Sequence, residues 1–224
     1  MADAPLVAEK DVEKGRAARA GAGSSRDRFL LAADDQFIAH GYDRCTIRAV
    51  AAQAGTSLAS LSRNWTSKRH LFEEVFQRHF DPVHQLQNDR FDELERTGDL
   101  SVRSIIRAFF SSAMGKSAGD GDTRKSHQIY CLALTDPSEE AKGIARSLVT
   151  PVRSRVTALL RRALPGMDEQ RFFLAMNVVL GVYLYPQTQA GRLASAMNFD
   201  LDALDWNQAA DILADFVSDG LTGR

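Results

Sequence analysis

The 224 residues are 44% apolar and carry 28 Lys and Arg against 29 Asp and Glu, a formal charge of −1. A chain of this size buries a core in one or two domains, and its overall charge balance singles out no polyanionic partner. No run approaches the roughly 18 consecutive apolar residues of a transmembrane helix, and Cys45 and Cys131 stand far apart without metal-ligand spacing. These features argue against an integral membrane protein and against a disulfide-stapled secreted one, and with no leader read at the start they set the expectation of a reducing cytoplasm.

Residues 1–25, rich in Ala, Gly, Lys and Arg, hold too few large apolar side chains to offset the entropy of ordering and read as a disordered basic tail. Its Lys14, Arg16 and Arg19, with Arg26 and Arg28 just beyond, suit either solubilisation or contact along a DNA groove. From Arg26 the pattern turns helical, with Phe29, Leu30, Ala33, Phe37 and Ile38 recurring every three or four residues until Gly41 ends the run. Thr46 is the N-cap expected for a second helix of about two turns, with Ile47, Val50, Ala51 and Ala54 inward and Gly55 as its stop. Thr56-Ser57 caps a third short helix, Leu58 to about Asn64, anchored by Leu61. Two short helices around a glycine turn are the signature of a helix-turn-helix. Between Arg44 and Phe72 lie Arg44, Arg48, Arg63, Lys68, Arg69 and His70 and no acid at all, a distribution that suits a polyanion.

Thr66-Ser67 begins a fourth helix with Leu71, Phe72, Val75, Phe76 and Phe80 on one face, and Pro82 is expected to break or kink it. Further helices are expected at 101–116 and 123–134. The next runs from about 137 to Leu164, with Asp136 as N-cap, Pro137 in the first turn, Glu139 as capping-box acid and Pro151 as a kink. The last two, 168–188 and 206–221, carry apolar residues over more surface than one core face needs. Phe173, Val179, Leu180, Tyr183, Leu184, Ile212 and Phe216 are therefore the candidate contacts of a self-complementary homodimer, with Gly181 allowing close approach. The fold class is all-α: an N-terminal three-helix helix-turn-helix domain over 26–80, then a C-terminal helical domain over 81–224 that carries the candidate dimer face.

Within Phe29–Phe80, Gly41-Tyr42 after the first helix, the Thr46 cap, Ala54-Gly55, the short recognition helix and Ser67-Lys68 together resemble the DNA-binding domain of the tetracycline-repressor (TetR) family of bacterial regulators. The remainder resembles that family in being all-helical and of the right length. The resemblance implies a cytoplasmic bacterial homodimer that binds a double-stranded operator and is released from it by a small molecule. Several positions depart from the family pattern: Thr56 where Val is usual, Leu58-Ala59 where a polar residue and Gly are usual, and Ser62-Arg63-Asn64-Trp65-Thr66 where Tyr-Arg-His-Phe-Pro is frequent. Trp65 keeps the aromatic plug, but the operator contacts do not carry over one for one.

A helix-turn-helix sets the start of its second helix in the major groove, which makes Ser57, Leu58, Ala59, Ser60, Ser62, Arg63 and Asn64 the candidate DNA-facing residues. Arg63 reaches a guanine edge or a phosphate, Asn64 an adenine or a phosphate, and Leu58 a thymine methyl. The Ser57 hydroxyl either caps its helix or touches DNA. The resemblance favours Thr46 and Lys68, both at helix N-termini, as phosphate contacts. In the C-terminal domain, Phe109, Phe110, Met114, His127, Tyr130, Met176 and Tyr183 are the candidate lining of an effector pocket or else plain core. The scarcity of charge there suggests a small apolar or aromatic effector.

No Glu-x-x-His pair, G-x-S-x-G, phosphate-binding loop or dinucleotide fingerprint is present, so no enzyme is expected, and no cofactor. His79, Asp81 and His84 straddle Pro82 with poor spacing for a metal. A redox-sensing version through the cysteines stays open beside their role as small buried hydrophobes. The rival reading is a helix-turn-helix protein that organises DNA or docks a partner without an effector.

Overall fold

The computed structural model describes residues 24–114 and 121–223, so the expected basic tail lies, up to residue 23, outside the described residues. Among these, nine α-helices and one short 3-10 turn follow each other without a strand. They are α1 (Ser25–Arg44), α2 (Ile47–Gln53), α3 (Leu58–Ser62), α4 (Lys68–Thr97), α5 (Val102–Met114), α6 (Gly121–Thr135), α7 (Glu139–Ala163), α8 (Glu169–Met197) and α9 (Trp206–Thr222), with the 3-10 turn at Leu201–Ala203. The chain divides into two compact units at Leu71/Phe72, earlier than the boundary near residue 80 that the sequence suggested. The 30-residue α4 runs on past that point, and its apolar residues from Phe72 onward pack within the second unit.

In the first unit each helix end has a visible chemical cause. Ser24 and Asp27 form a reciprocal capping box, Ser24 Oγ accepting from the Asp27 amide at 3.1 Å and the Asp27 carboxylate from the Ser24 amide at 2.9 Å, so α1 starts at Ser25. Gly41, with φ 70° and ψ 177°, breaks the regular run before Arg44, a conformation that only glycine adopts at low cost. At the end of α2 the Thr56 amide reaches the Ala51 carbonyl and the Gly55 amide reaches Ala52, both at 3.1 Å. With Gly55 at φ +62° this is a Schellman turn, and it aims the chain into α3. Phe29, Phe37, Tyr42, Val50, Leu61 and Trp65 fill the space between the three helices, Phe29 meeting Trp65 edge-on with ring centroids 5.7 Å apart.

The second unit corrects several expected boundaries. Pro82 does not break α4, which stays helical through it. One missing amide costs a single ladder bond, and buried Phe72, Phe76, Phe80, Val83, Gln87 and Phe91 hold one stripe on either side. α7 begins at Glu139 rather than 137, with Ser138 at the N-cap making no side-chain cap. The Asp136 carboxylate is occupied by the Ser138 amide at 2.9 Å, a local turn that holds Pro137-Ser138 outside the helix. α8 passes Thr188 and continues through Pro186 to Met197, where Asn198 adopts a left-handed conformation and closes it. α9 starts as expected, the Asp205 carboxylate accepting from the amides of Asn207 and Gln208.

α9 packs along α5, reinforced on the outside by the ion pairs Arg103–Asp215 and Arg107–Asp211. α7 is tied to α4 through Arg155, which reaches Asn88 Oδ1 at 3.1 Å and Glu95 at 2.7 Å and lies over the Phe91 ring.

Candidate nucleic-acid interface and effector region

The third helix stands on two buried anchors, Leu61 and Trp65, each 2% exposed. Trp65 lies just beyond the helix end, and apart from half-buried Ser60 the other residues of the segment are turned out. Ser57, Leu58, Ala59, Ser62, Arg63 and Asn64 are exposed there, and Ser60 is half-buried with its hydroxyl 3.4 Å from that of Ser25. Ser57 Oγ accepts from the Ser60 amide at 3.1 Å, and Thr46 Oγ1 from the Ala49 amide at 3.1 Å. Both hydroxyls therefore serve as caps, and each keeps its own O–H for an outside acceptor. Capping and DNA contact are compatible here rather than alternatives. Asn64 donates to the Ser60 carbonyl at 3.1 Å, leaving its amide oxygen and one N–H.

Lys68 occupies a different environment from the one expected. Its ammonium donates to the Tyr42 carbonyl and lies 4.1 Å above the Tyr42 ring, half-buried. The nearby Arg26 guanidinium stands 5.8 Å from the Trp65 ring. Cys45 is buried, and burial pushes its thiol up to about 11.

In the second unit four of the seven pocket candidates, Phe109, Phe110, Tyr130 and Tyr183, pack together, and all seven are buried. Phe109 stacks on Tyr183 at 4.3 Å, Phe110 lies 6.1 Å from the same ring, and the Tyr130 and Tyr183 hydroxyls are 2.7 Å apart. Met114 and Met176 are buried. His127 borders clefts of about 600 and 270 Å3, with its Nε2 2.8 Å from Gln187 Oε1. Burial holds the His127 ring below the ordinary imidazole range and pushes the adjacent Cys131 thiol up to about 12. Neither cysteine thus offers the exposed thiolate a redox sensor needs.

The core also contains the polar groups Gln87, which the sequence reading passed over, and His84, which it weighed only as a metal ligand. Gln87 is fully buried and donates to the Phe109 carbonyl at 3.0 Å, while its Oε1 finds no partner. His84 lies against the Phe80 and Tyr130 rings, its Nε2 equally without a partner, and burial lowers its pKa to about 4. Both share the face of α4 defined by Phe80 and Phe91, at spacings of three, four and seven, which was the available signal. His79 bonds Ser126 at 2.7 Å, so it and His84 serve different neighbours.

The expected dimer face splits in two. Phe173, Ile212 and Phe216 are exposed at 66%, 46% and 71%, whereas Val179 and Tyr183 point into the protomer's own core and Leu180 and Leu184 are half-buried. The reason is helical phase. Phe172, Met176, Val179 and Tyr183 form the inner stripe of α8, and Leu174, Val178 and Tyr185 form an outer apolar stripe that the sequence reading did not separate from it. Gly181 lies on the outer side, with open space where a Cβ would stand.

Residues 29–75 match the model of bacterial regulatory proteins of the tetR family, and residues 107–220 match the tetracyclin repressor-like C-terminal domain. The HTH-type transcriptional repressor KstR of Rhodococcus jostii (strain RHA1) is 25% identical, over 63% of this chain and 76% of that protein. Among solved structures, the fatty acid degradation regulator FadR from Bacillus halodurans superposes with a TM-score of 0.63 at 15% identity, covering 89% of this chain and 97% of that one. FadR from Bacillus subtilis in complex with stearoyl-CoA gives 0.62 at 14% identity, covering 86% and 97%. Such low identities speak for the fold, while the two family matches together span the helix-turn-helix and most of the second unit. The chain belongs to the tetR family of bacterial regulatory proteins and is a DNA-binding transcriptional regulator.

Proposed function

We propose that this regulator is a homodimeric repressor that holds its operator through α3 and lets go when a small molecule occupies the second unit. The observation that carries the DNA reading is the division of α3 into a buried side, Leu61 with Trp65 just beyond, and an exposed side bearing Ser57, Leu58, Ala59, Arg63 and Asn64. Arg63 supplies a guanidinium fork for guanine, Leu58 an apolar contact for a thymine methyl, and the Thr46 and Ser57 hydroxyls donate to phosphates.

Dimerisation is supported by the outer apolar stripes of α8 and α9, whose exposed Phe173 and Phe216 have no reason to face water on an isolated protomer. Two copies related by a twofold axis present two α3 helices, whose match to successive major grooves requires a spacing of about 34 Å. Effector release is supported by KstR being a repressor, by the stearoyl-CoA bound to one structural neighbour, and by α4. That helix contributes its first turn, with Lys68, to the DNA-binding unit and the rest of its length to the other. An effector that shifts α4 alters the placement of both recognition helices, so DNA and effector compete by linkage.

The test is a mobility shift of the full chain on DNA from its own genomic neighbourhood at fixed salt, against scrambled DNA, with and without candidate effectors. Sequence-selective binding with dimer stoichiometry, reversed by a small molecule, is the expected result. Equal binding to scrambled DNA, by parent and Arg63→Ala alike, sinks the proposal in favour of a DNA-organising role.

A further inference from the structure

We infer that the second unit binds an amphiphile, an apolar chain with a hydrogen-bond-accepting polar end, across Trp206 between the C-terminal half of α8 and the start of α9. This rests on the effector reading above and names the class of effector and its place.

Two clefts meet at that point. One, of about 350 Å3, is formed by Leu193, Met197, Phe199, Leu204 and Leu213 with their neighbours, Tyr185 and Ile212 of the proposed dimer face at its edge, and no charged, amide or Ser/Thr side chain lines it. The other, of about 600 Å3, carries Arg124, His127, Gln128, Gln187 and Gln189. Pro186, Ala190, Leu201 and Trp206 border both, so an apolar cleft and a polar one adjoin along these four residues. Each part has the size of a small-molecule site.

The apolar part leaves Leu193 51%, Met197 68% and Phe199 51% exposed, and an occupant that covers them gains the free energy of removing that surface from water. At the polar end several donors are already used. Gln187 donates to the Tyr183 carbonyl and accepts from His127, and the Thr135 and Thr188 hydroxyls donate to helix carbonyls. Arg124, exposed at the rim, and the amides of Gln128 and Gln189 remain to meet a ligand. Asp202 is the one acid in that lining, so a carboxylate head is drawn toward the Arg124 side of that cleft.

The test is calorimetric binding of n-alkanoates of six to fourteen carbons to the full chain, below their micellar concentrations, beside n-alcohols of equal length. Affinity is expected to rise about fourfold per added CH2 until the apolar part is full. Met197→Glu, at an exposed position, should flatten that dependence. Arg124→Gln should erase the preference for alkanoate over alcohol while leaving the chain-length dependence intact. Affinity independent of chain length, or both variants binding like the parent, overturns the inference. So does Met197→Glu dissociating a dimer that binds no alkanoate, which assigns the apolar cleft to a second copy of the chain. Alkanoate binding that leaves DNA affinity unchanged keeps the site and overturns the effector reading, whereas DNA release by another compound that leaves alkanoate affinity untouched keeps that reading and overturns this site.

Discussion

The Lys68 ammonium sits 4.1 Å above the Tyr42 ring and donates to the Tyr42 carbonyl, with the Asp43 carbonyl 3.4 Å away. It thereby fastens the end of α1, just after the Gly41 break, to the first turn of α4. An ammonium has three donors. Two point at these carbonyls, and the third is the one with which the proposed phosphate contact would be made.

Lys68→Ala is expected to lower the stability of the protein by about 1–2 kcal/mol, the scale of one charge-assisted hydrogen bond and a partly exposed cation–π contact. It should also reduce the slope of log affinity against log salt by about one unit. Denaturant midpoints and salt-dependent mobility shifts check the two separately. An unchanged midpoint removes the tether, and an unchanged slope removes the phosphate contact.

Ser57→Asp separates capping from recognition. Asp caps as well as Ser, so the unfolding midpoint should stay where it is, while the added negative charge at the start of α3 should weaken operator binding by about tenfold or more. Ser57→Ala should instead cost about 1 kcal/mol of stability through loss of the bond to the Ser60 amide. Retained operator affinity in Ser57→Asp would place the start of α3 away from DNA.

Arg63→Ala should leave the melting temperature unchanged, since the side chain is exposed and has no ion-pair partner among the described residues. Operator affinity should fall by an amount equivalent to about 1–3 kcal/mol, with affinity for scrambled DNA falling much less. Equal losses on both DNAs would make Arg63 a phosphate contact.

Phe216→Glu should convert the dimer to monomer in sedimentation velocity and abolish operator binding without unfolding the protomer, because the ring is 71% exposed. Val179→Ala, fully buried in the protomer, should cost stability on the scale of about 1–3 kcal/mol. A dimeric Phe216→Glu protein would move the interface elsewhere.

His84 sets a pH dependence. Burial lowers its pKa from 6.5 to about 4, with Asp81 opposing the shift and Arg153 adding to it. Between those values the unfolded chain binds the proton that the folded one refuses. Its contribution to stability is therefore fully present above pH 6.5 and lost as pH falls toward 4. The loss should amount to about 2 kcal/mol once partial exposure is allowed for. In His84→Gln the fall in unfolding free energy between pH 6.5 and 4.5 should be smaller than in the parent, and an equal fall would assign it to other groups.

Local chemistry made the first unit legible in the sequence. Thr46, Gly55 and Ser57 determine where α2 and α3 begin and end, because caps and a positive φ act within a few residues, and Leu61 determines which side of α3 faces out. The exposure of Ser57, Leu58, Ala59, Ser62, Arg63 and Asn64 accords with Leu61 as the inward anchor, while Ser60 is half-buried. The role of Lys68 was not legible in this way, since Tyr42 lies 26 positions away in the chain and no periodicity brings the two together. The second unit shows the same limit more strongly. Its helices could be read from apolar spacing, but on an α8 that is apolar nearly all round, which stripe is core and which is outside depends on what packs against it. Tertiary packing turned Val179 and Tyr183 inward, left Phe173 and Phe216 outside, buried Gln87 and His84 among aromatic rings and set two clefts on either side of Trp206. Backbone propensities and caps are short-range and survive in the bare sequence, whereas burial is a property of neighbours distant in the chain, and only the folded structure assigns them.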